Sequence, residues 1–210
     1  MAGRGILSVV SGFSGSGKGT IMKALLKKYD NYAVSISATT RQMRSNEKPD
    51  LDYFFISDRE FERMIADDEL YEYACYQDHY YGTPKRYVDE QLDQGKDVIL
   101  EIEVQGAEKI KARFPDTVLI FVTPPSAREL KNRLVGRGTE TADRIEGRLK
   151  RAAEEADLMD RYDYILVNDQ LDACVDQLDE ILRTEHKKAS RNKELIKQLS
   201  EELQTLTKGE

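Results

Sequence analysis

No stretch of this sequence approaches the roughly 20 consecutive apolar residues that a membrane-crossing helix needs, so a membrane-spanning protein is not expected. Tryptophan is absent, and the two cysteines, Cys75 and Cys174, stand far apart in no metal-ligand spacing. That excludes a disulfide scaffold and a cysteine zinc site, and it reads as two reduced thiols. The two histidines, His79 and His186, fall in no motif and read as surface residues. A basic excess is also missing. The net charge is −7, which argues against a general nucleic-acid binder but leaves room for small anionic ligands held by local arginines. There is no Pro/Gly-rich linker, no internal repeat and no signal-peptide pattern in the opening MAGRGILSVV, so a cytoplasmic location is expected. The 210 residues suffice for one large core, or for a core with small inserted lobes.

What is present is alternation. ILSVV (6–10), YAVSIS (32–37), DVILEIE (97–103), TVLIFV (117–122) and YDYILV (162–167) read as strands. Most are continuous apolar runs, the pattern of parallel strands buried on both faces. Helix-like segments lie between them, at Thr20–Tyr29 and again from Ser126, which has the chemistry of an N-cap. Strand–helix alternation of this kind predicts an α/β sandwich with right-handed crossovers. Two stretches break the rhythm. Thr39–Tyr87 is polar and rich in arginine and tyrosine, with a short strand expected at Tyr53–Ser57 and a helix at Arg59–Ile65. Val135–Asp160 is mostly charge and alanine, as in a solvated helical flap. In the tail, Leu195, Leu199, Leu203 and Leu206 fall at helical spacing. They suit a peripheral helix that packs on the body or frays, or else a short coiled-coil contact.

The strand ILSVV runs into SGFSGSGKGT and then into a helix, the context of a phosphate-binding loop. Gly12, Gly15 and Gly17 let backbone N–H groups turn toward an anion, with Ser14 and Ser16 between them, and Lys18 adds a cation. Gly19 stands where a magnesium-binding hydroxyl is usual, and Thr20 follows one place later, on the α-phosphate side. That variant points to a nucleoside monophosphate kinase more than to a GTPase switch. Past the second strand, Arg41 and Arg44, with Tyr53 and Tyr81, form a second set suited to phosphate oxygens, hence a phosphate acceptor beside a phosphate donor. Glu72 and Glu103, with Ser37 and Thr83, are candidates for reading a base. A carboxylate accepts from guanine N1–H and its amine, whereas adenine would leave it unpaired.

The chain resembles the guanylate kinase family from its start to about His186, in GFSGSGKGT, SISATTRQMR, DYFFIS, YYGTP, VILEIEVQGA, FVTPPS, RLVGRGTET and ILVND. The resemblance implies an α/β P-loop three-layer sandwich with a parallel-sheet core (1–36, 88–126 and 160–186), an inserted GMP-binding lobe (37–87) and a helical lid (127–159), followed by a helical tail (187–210). It implies transfer of the γ-phosphoryl of ATP to GMP with magnesium as cofactor. On the acceptor side it matches Ser37, Arg41, Arg44, Glu47, Tyr53, Glu72, Tyr81, Thr83, Glu101 and Glu103. On the donor side it matches the glycine-rich loop with Arg133, Arg137 and Asn168. The catalytic cations it implies are Lys18, Arg137 and Arg148, with Arg41 and Arg44 on the acceptor phosphate, and Glu101 as a magnesium contact through water.

The departures from the family pattern are local. Glu101-Ile102-Glu103 replaces D-I-D, and Met43-Arg44-Ser45-Asn46-Glu47 replaces P-R-P-G-E. Asp50 stands where glycine is familiar. The turn is then looser, or Asn46 supplies the left-handed residue. Another acceptor on the same fold, or a non-catalytic protein-binding module, are the rival readings. No membrane or nucleic-acid partner is expected, and the oligomeric state is open.

Overall fold

The computed structural model describes residues 4–45, 47–76, 78–136 and 141–208. Arg137 and Asn46, two residues singled out above, lie outside the described residues. In chain order the elements are β1 (Leu7–Gly12), α1 (Lys18–Lys28), β2 (Tyr32–Val34), β3 (Ala38–Thr39), β4 (Phe54–Phe55) and α2 (Asp58–Ala66). There follow β5 (Leu70–Tyr76), β6 (His79–Pro84), α3 (Lys85–Asp93), β7 (Asp97–Glu101), α4 (Val104–Arg113) and β8 (Val118–Thr123). The chain then forms α5 (Ala127–Gly136), α6 (Ala142–Ala156), β9 (Tyr164–Val167), α7 (Leu171–Glu185) and α8 (Lys193–Lys208). No helix among the described residues is long and apolar enough to cross a membrane.

The core is a five-stranded parallel sheet in the order β2-β7-β1-β8-β9. Its continuous apolar runs are explained by cover on both faces. On one face Val10, Ile99, Ile120 and Leu166 pack against α1 and α7, through Ile21, Leu25, Val175, Leu178 and Leu182. On the other, Val9, Val98, Leu100 and Leu119 pack against Val88 and Leu92 of α3 and Ala107 and Ile110 of α4. Phe13, Val104 and Phe121 extend that face to Leu130 and Leu134 of α5 and Ala152 of α6. The result is three layers.

The register decides where chemistry can gather. Val10 pairs with Glu101, and Gly12 with Val122. Thr123 pairs with Val167. The loop after β1, the end of β7 and Asn168 after β9 therefore leave the sheet at one carboxyl edge. β1 lies between β7 and β8, so chains diverge there, the place where open α/β sheets bind ligands.

The polar stretch before α3 builds a second sheet, in the order β4-β3-β6-β5. Here the structure corrects the sequence expectations. The second strand stops at Val34 rather than running to residue 37, and Ala38–Thr39 joins the other sheet. β7 ends at Glu101, and Glu103 becomes the N-cap residue of α4. The hairpin of β5 and β6 was not foreseen. It has a register shift between Leu70 and Tyr73, a bulge that turns Tyr71 into the core and re-aims Glu72. Ser126 does cap α5, its Oγ accepting from Glu129 N at 3.1 Å.

The tail departs from its first expectation. α8 does not bury its apolar stripe on the body: Leu195, Leu199, Leu203 and Leu206 are 49–72% exposed. His186 is also more than a surface residue. Its Nε2 lies 2.8 Å from Oδ1 of the buried Asp97, which also accepts from Ile6 N.

Candidate active site

β1 delivers the chain into a loop whose backbone only glycine tolerates. A Cβ on Gly12 would stand 2.1 Å from Val122 O, and one on Gly17 would stand 2.5 Å from Asn168 Nδ2. Gly17 is the left-handed N-cap of α1 (φ 94°) and offers no capping side chain; the first turn also holds no acidic residue. Thr20 N closes back on Gly17 O at 3.0 Å, and the N–H groups of Lys18 and Gly19 are left for an external anion. Lys18 Nζ bends back onto the loop, donating to Gly12 O (2.7 Å) and Phe13 O (3.3 Å).

Around this loop is a cleft of about 370 Å³ lined by Ser14, Gly15, Gly17, Lys18, Gly19, Thr20, Lys23, Glu101 and Glu103. Lys23 was missed from the sequence, although it follows Gly19 by one helical turn and so faces the same way. A Cβ on Gly19 would meet both Glu101 carboxylate oxygens at 3.9 Å, ordinary contact. The missing hydroxyl therefore leaves open space directly before Glu101. Glu101 touches solvent in the cleft yet is walled by protein. That surrounding raises its carboxyl above the usual range; Lys18 opposes the rise and Glu103 adds to it. The Glu103 side chain is not spent on capping α4.

Arg133 and Asn168 brace the loop from behind. Asn168, buried, donates Nδ2 to Ser16 O at 2.8 Å, and Arg133 donates Nη2 to Asn168 O at 2.9 Å. Arg133 Nε is held by Glu129 at 2.8 Å. Over the front, α6 brings Arg148 Nη1 to Ser14 Oγ at 2.8 Å. The same helix buries Glu155, whose carboxyl is raised by burial and by Glu103, with Lys18 opposing. A run of glutamate and alanine gave no signal for that residue, since burial of one glutamate among several is a matter of helix face.

The second sheet carries an anion-sized cage. Arg41 makes a two-pronged pair with Glu47 (Nη2–Oε1 2.8 Å, Nη1–Oε2 3.0 Å) and donates Nε to Tyr81 Oη at 3.2 Å. Its guanidinium lies over the rings of Tyr53 and Phe55, at 5.3 and 5.9 Å from their centroids. Hydrogen bonding to Arg41 holds the Glu47 carboxyl below its ordinary range, helped by Arg44 N. Glu47 therefore aims Arg41 instead of facing a ligand itself. Arg44 is exposed at the rim. Among the described residues of this stretch Asp50 is left-handed (φ 63°), a conformation that glycine takes without cost.

Glu72, set by the bulge, accepts from Thr83 Oγ1 at 2.9 Å. A Cβ on Gly106 of α4 would come within 3.3 Å of Glu72 Oε2, so glycine opens the space beside this carboxylate. Burial raises the Glu72 carboxyl, and the Thr83 hydrogen bond opposes that. Ser37 sits between β2 and β3, where its carbonyl accepts from Phe54 N at 2.9 Å. Burial raises the Tyr53 hydroxyl above its ordinary range, Tyr81 adds to the rise and Arg41 opposes it; Glu101, on the loop side, adds the smallest part. A second cleft, of about 500 Å³, lies at Arg4, Asp68, Tyr71, Lys85, Asp89, Arg113 and Phe114. Its cations are paired to carboxylates, Arg4 to Asp89, Lys85 and Arg113 to Asp68, so it is a seam between parts of the fold.

A family model described as guanylate kinase matches residues 4–185. A guanylate kinase of Caldanaerobacter subterraneus is 48% identical over 199 residues, covering 95% of this chain and 97% of that one. One from Bacillus cereus is 50% identical over 201 residues, covering 95% and 98%. Among solved structures, the guanylate kinase from Anaplasma phagocytophilum superposes with a TM-score of 0.71 at 34% identity, over 90% of each chain.

Proposed function

The chain belongs to the guanylate kinase family, and from that premise we propose how this site carries out ATP-to-GMP phosphoryl transfer. The enzyme transfers the γ-phosphoryl group of ATP to GMP, giving ADP and GDP. In our reading the second sheet with its helix is the GMP lobe, α5 and α6 belong to the lid, and the parallel sheet carries the donor loop.

The observation that carries the reading is the pairing of an anion loop with a second, differently built anion cage and a part-buried carboxylate, Glu72. ATP phosphates take the open N–H groups of the loop, with those of Lys18 and Gly19 at the start of α1, and Lys18 leaves Gly12 O to reach them. Arg41, preset by Glu47, holds the GMP phosphate with Arg44, Tyr53 and Tyr81. Glu72 and Glu103 accept from guanine, with Ser37 and Thr83 beside them. Arg133 and Asn168 keep the loop in place rather than carrying charge to the reaction.

The attacking oxygen belongs to the GMP phosphate, whose second pKa is about 6 for a phosphomonoester, so near neutral pH it needs no side-chain base. What the site must supply is cations against two approaching polyanions, and order. Lys18, Arg148 and Arg137 supply the charge. Lid closure over the loop excludes water and limits ATP hydrolysis.

Among the described residues no group of three or more His, Cys, Asp or Glu side chains is placed to hold a metal unaided. One carboxylate facing an open glycine suits magnesium, which keeps several waters and takes phosphate oxygens. Glu101 would hold it through water, and the ion would neutralise charge on the ATP phosphates. Use of dGMP, a place in purine nucleotide metabolism and a cytoplasmic location complete the reading; both cysteines are free, as that compartment favours.

A coupled assay of ADP formation with GMP, dGMP, AMP, UMP and CMP tests it. Turnover is expected with GMP and dGMP and to be negligible with the others. Lys18→Met should cut GMP-dependent turnover by on the order of a thousandfold with the circular dichroism spectrum unchanged. Near-normal turnover by that variant would remove the loop from the mechanism.

A further inference from the structure

The apolar face of α8 has no role in phosphoryl transfer, and it is the largest run of exposed aliphatic side chains on one element. Leu195, Ile196, Leu199, Leu203 and Leu206 are 53, 51, 49, 61 and 72% exposed. The base of the helix is fixed to the body. Arg191 donates to Asp116 O at 2.5 Å and pairs with the buried Glu185, which also binds Lys188. Yet the stripe itself is left open.

The spacing of that stripe says what covers it. Ile196, Leu199, Leu203 and Leu206 are separated by three, four and three residues, the alternation of a and d positions in a heptad. Ile196 and Leu203 take a, and Leu199 and Leu206 take d. Isoleucine at the first a position with leucine at both d positions favours two parallel strands; Leu203 at the second a is apolar without adding to that preference. In that arrangement the flanking g and e positions bring Leu195 against Ser200 and Glu202 against Thr207, so no like charges face each other. Charge argues the same way. The chain carries −7, but α8 holds Lys193, Lys197 and Lys208 against Glu194, Glu201 and Glu202, three of each sign, so two copies meet there without net repulsion. Lys197 and Glu201 are already paired along the helix, at 3.7 Å. A helix that lies on an anionic membrane has a basic face and interfacial aromatics; α8 has neither.

We propose that α8 is a dimerisation helix, and that its occupant is α8 of a second copy of this chain in a short parallel coiled coil. Two heptads are few, so the dimer dissociates on dilution. The inference is independent of the kinase reading.

Sedimentation velocity on the full chain, from low to high micromolar concentration, tests it. A shift from monomer to dimer across that range is expected. The double variant Leu199→Glu/Leu203→Glu should remain monomeric throughout, with ADP formation per chain and circular dichroism unchanged. In a Cys75→Ser background, which removes the exposed native thiol, Leu206→Cys should oxidise to a covalent dimer, because parallel d positions face each other. A wild type that is monomeric at every concentration overturns the proposal, including one that floats with lipid vesicles instead. A double variant that still dimerises overturns the assignment to α8, and failure of the Leu206→Cys cross-link overturns the parallel arrangement.

Discussion

A part-buried carboxylate with a single hydroxyl partner costs stability, and Glu72 is in that position. Its folded-state pKa is raised above the ordinary 4.5, chiefly by burial. The sign follows from linkage. A raised carboxyl pKa contributes stability that is complete below the unfolded-state value and is lost as pH rises through the folded-state value. At neutral pH, then, Glu72 is a liability to the free protein, which guanine would relieve by donating to it under the proposed base recognition. Glu72→Gln keeps an oxygen for Thr83 while removing the charge. Its Tm without nucleotide should exceed that of the wild type at pH 7, and the gain should shrink as pH falls through the raised folded-state value and be gone below 4.5. Its KM for GMP should rise by on the order of a hundredfold. Thermal scans across pH and initial rates with GMP varied check the two halves. A lower Tm together with an unchanged KM would take Glu72 out of base recognition.

At the scale of elements, the proposed mechanism makes turnover depend on the position of α6. Ile145 and Leu149 pack partly buried against the cluster of Phe13, Phe121, Leu130 and Leu134, so the helix rests on the loop side of the core. Arg148 projects from it onto Ser14. Arg148→Ala should lower kcat by at least about a hundredfold and leave the GMP KM within a few-fold, since the arginine serves the transferred group and not the acceptor. A change in KM alone would assign it to GMP binding. The central strands were legible in the sequence because both of their faces are buried: TVLIFV has no polar face to confuse it. The hairpin was not legible because β5 exposes Tyr73, Ala74 and Cys75, so LYEYACY lacks an apolar face. Arginine and tyrosine spacing pointed to the cage, but the sequence could not say that Glu47 aims Arg41 or that Asn168 and Arg133 brace the loop. Those roles depend on contacts between residues 6 to 152 positions apart.

For the molecule as a whole, the question is how the GMP-side sheet is held at the right distance from the parallel sheet. Part of the answer is the seam of charges between them. Arg113, at the end of α4, pairs with Asp68 at 2.9 Å and reaches Leu70 O and Tyr71 O at 3.4 Å. Lys85 binds the same Asp68, whose carboxyl is held below its ordinary range first by Lys85 and then by Arg113. Arg4 and the Tyr71 hydroxyl both meet Asp89. Beside this, Tyr71 packs on Phe114 with ring centroids 4.8 Å apart. Exposed ion pairs are each worth at most about 1 kcal/mol, so the apolar contact carries most of the hold and the charges trim the angle. Arg113→Ala should therefore fold with nearly the wild-type Tm. The lobe would spend less time in the orientation that receives GMP. Its GMP KM should rise about two- to fivefold, the rate equivalent of under 1 kcal/mol, with kcat and the ATP KM unchanged. Raising the salt concentration should shrink the difference between variant and wild type, because screening weakens the same pairs in the wild type. A drop in kcat, or a KM effect that grows with salt, would show that Arg113 acts on something other than the seam.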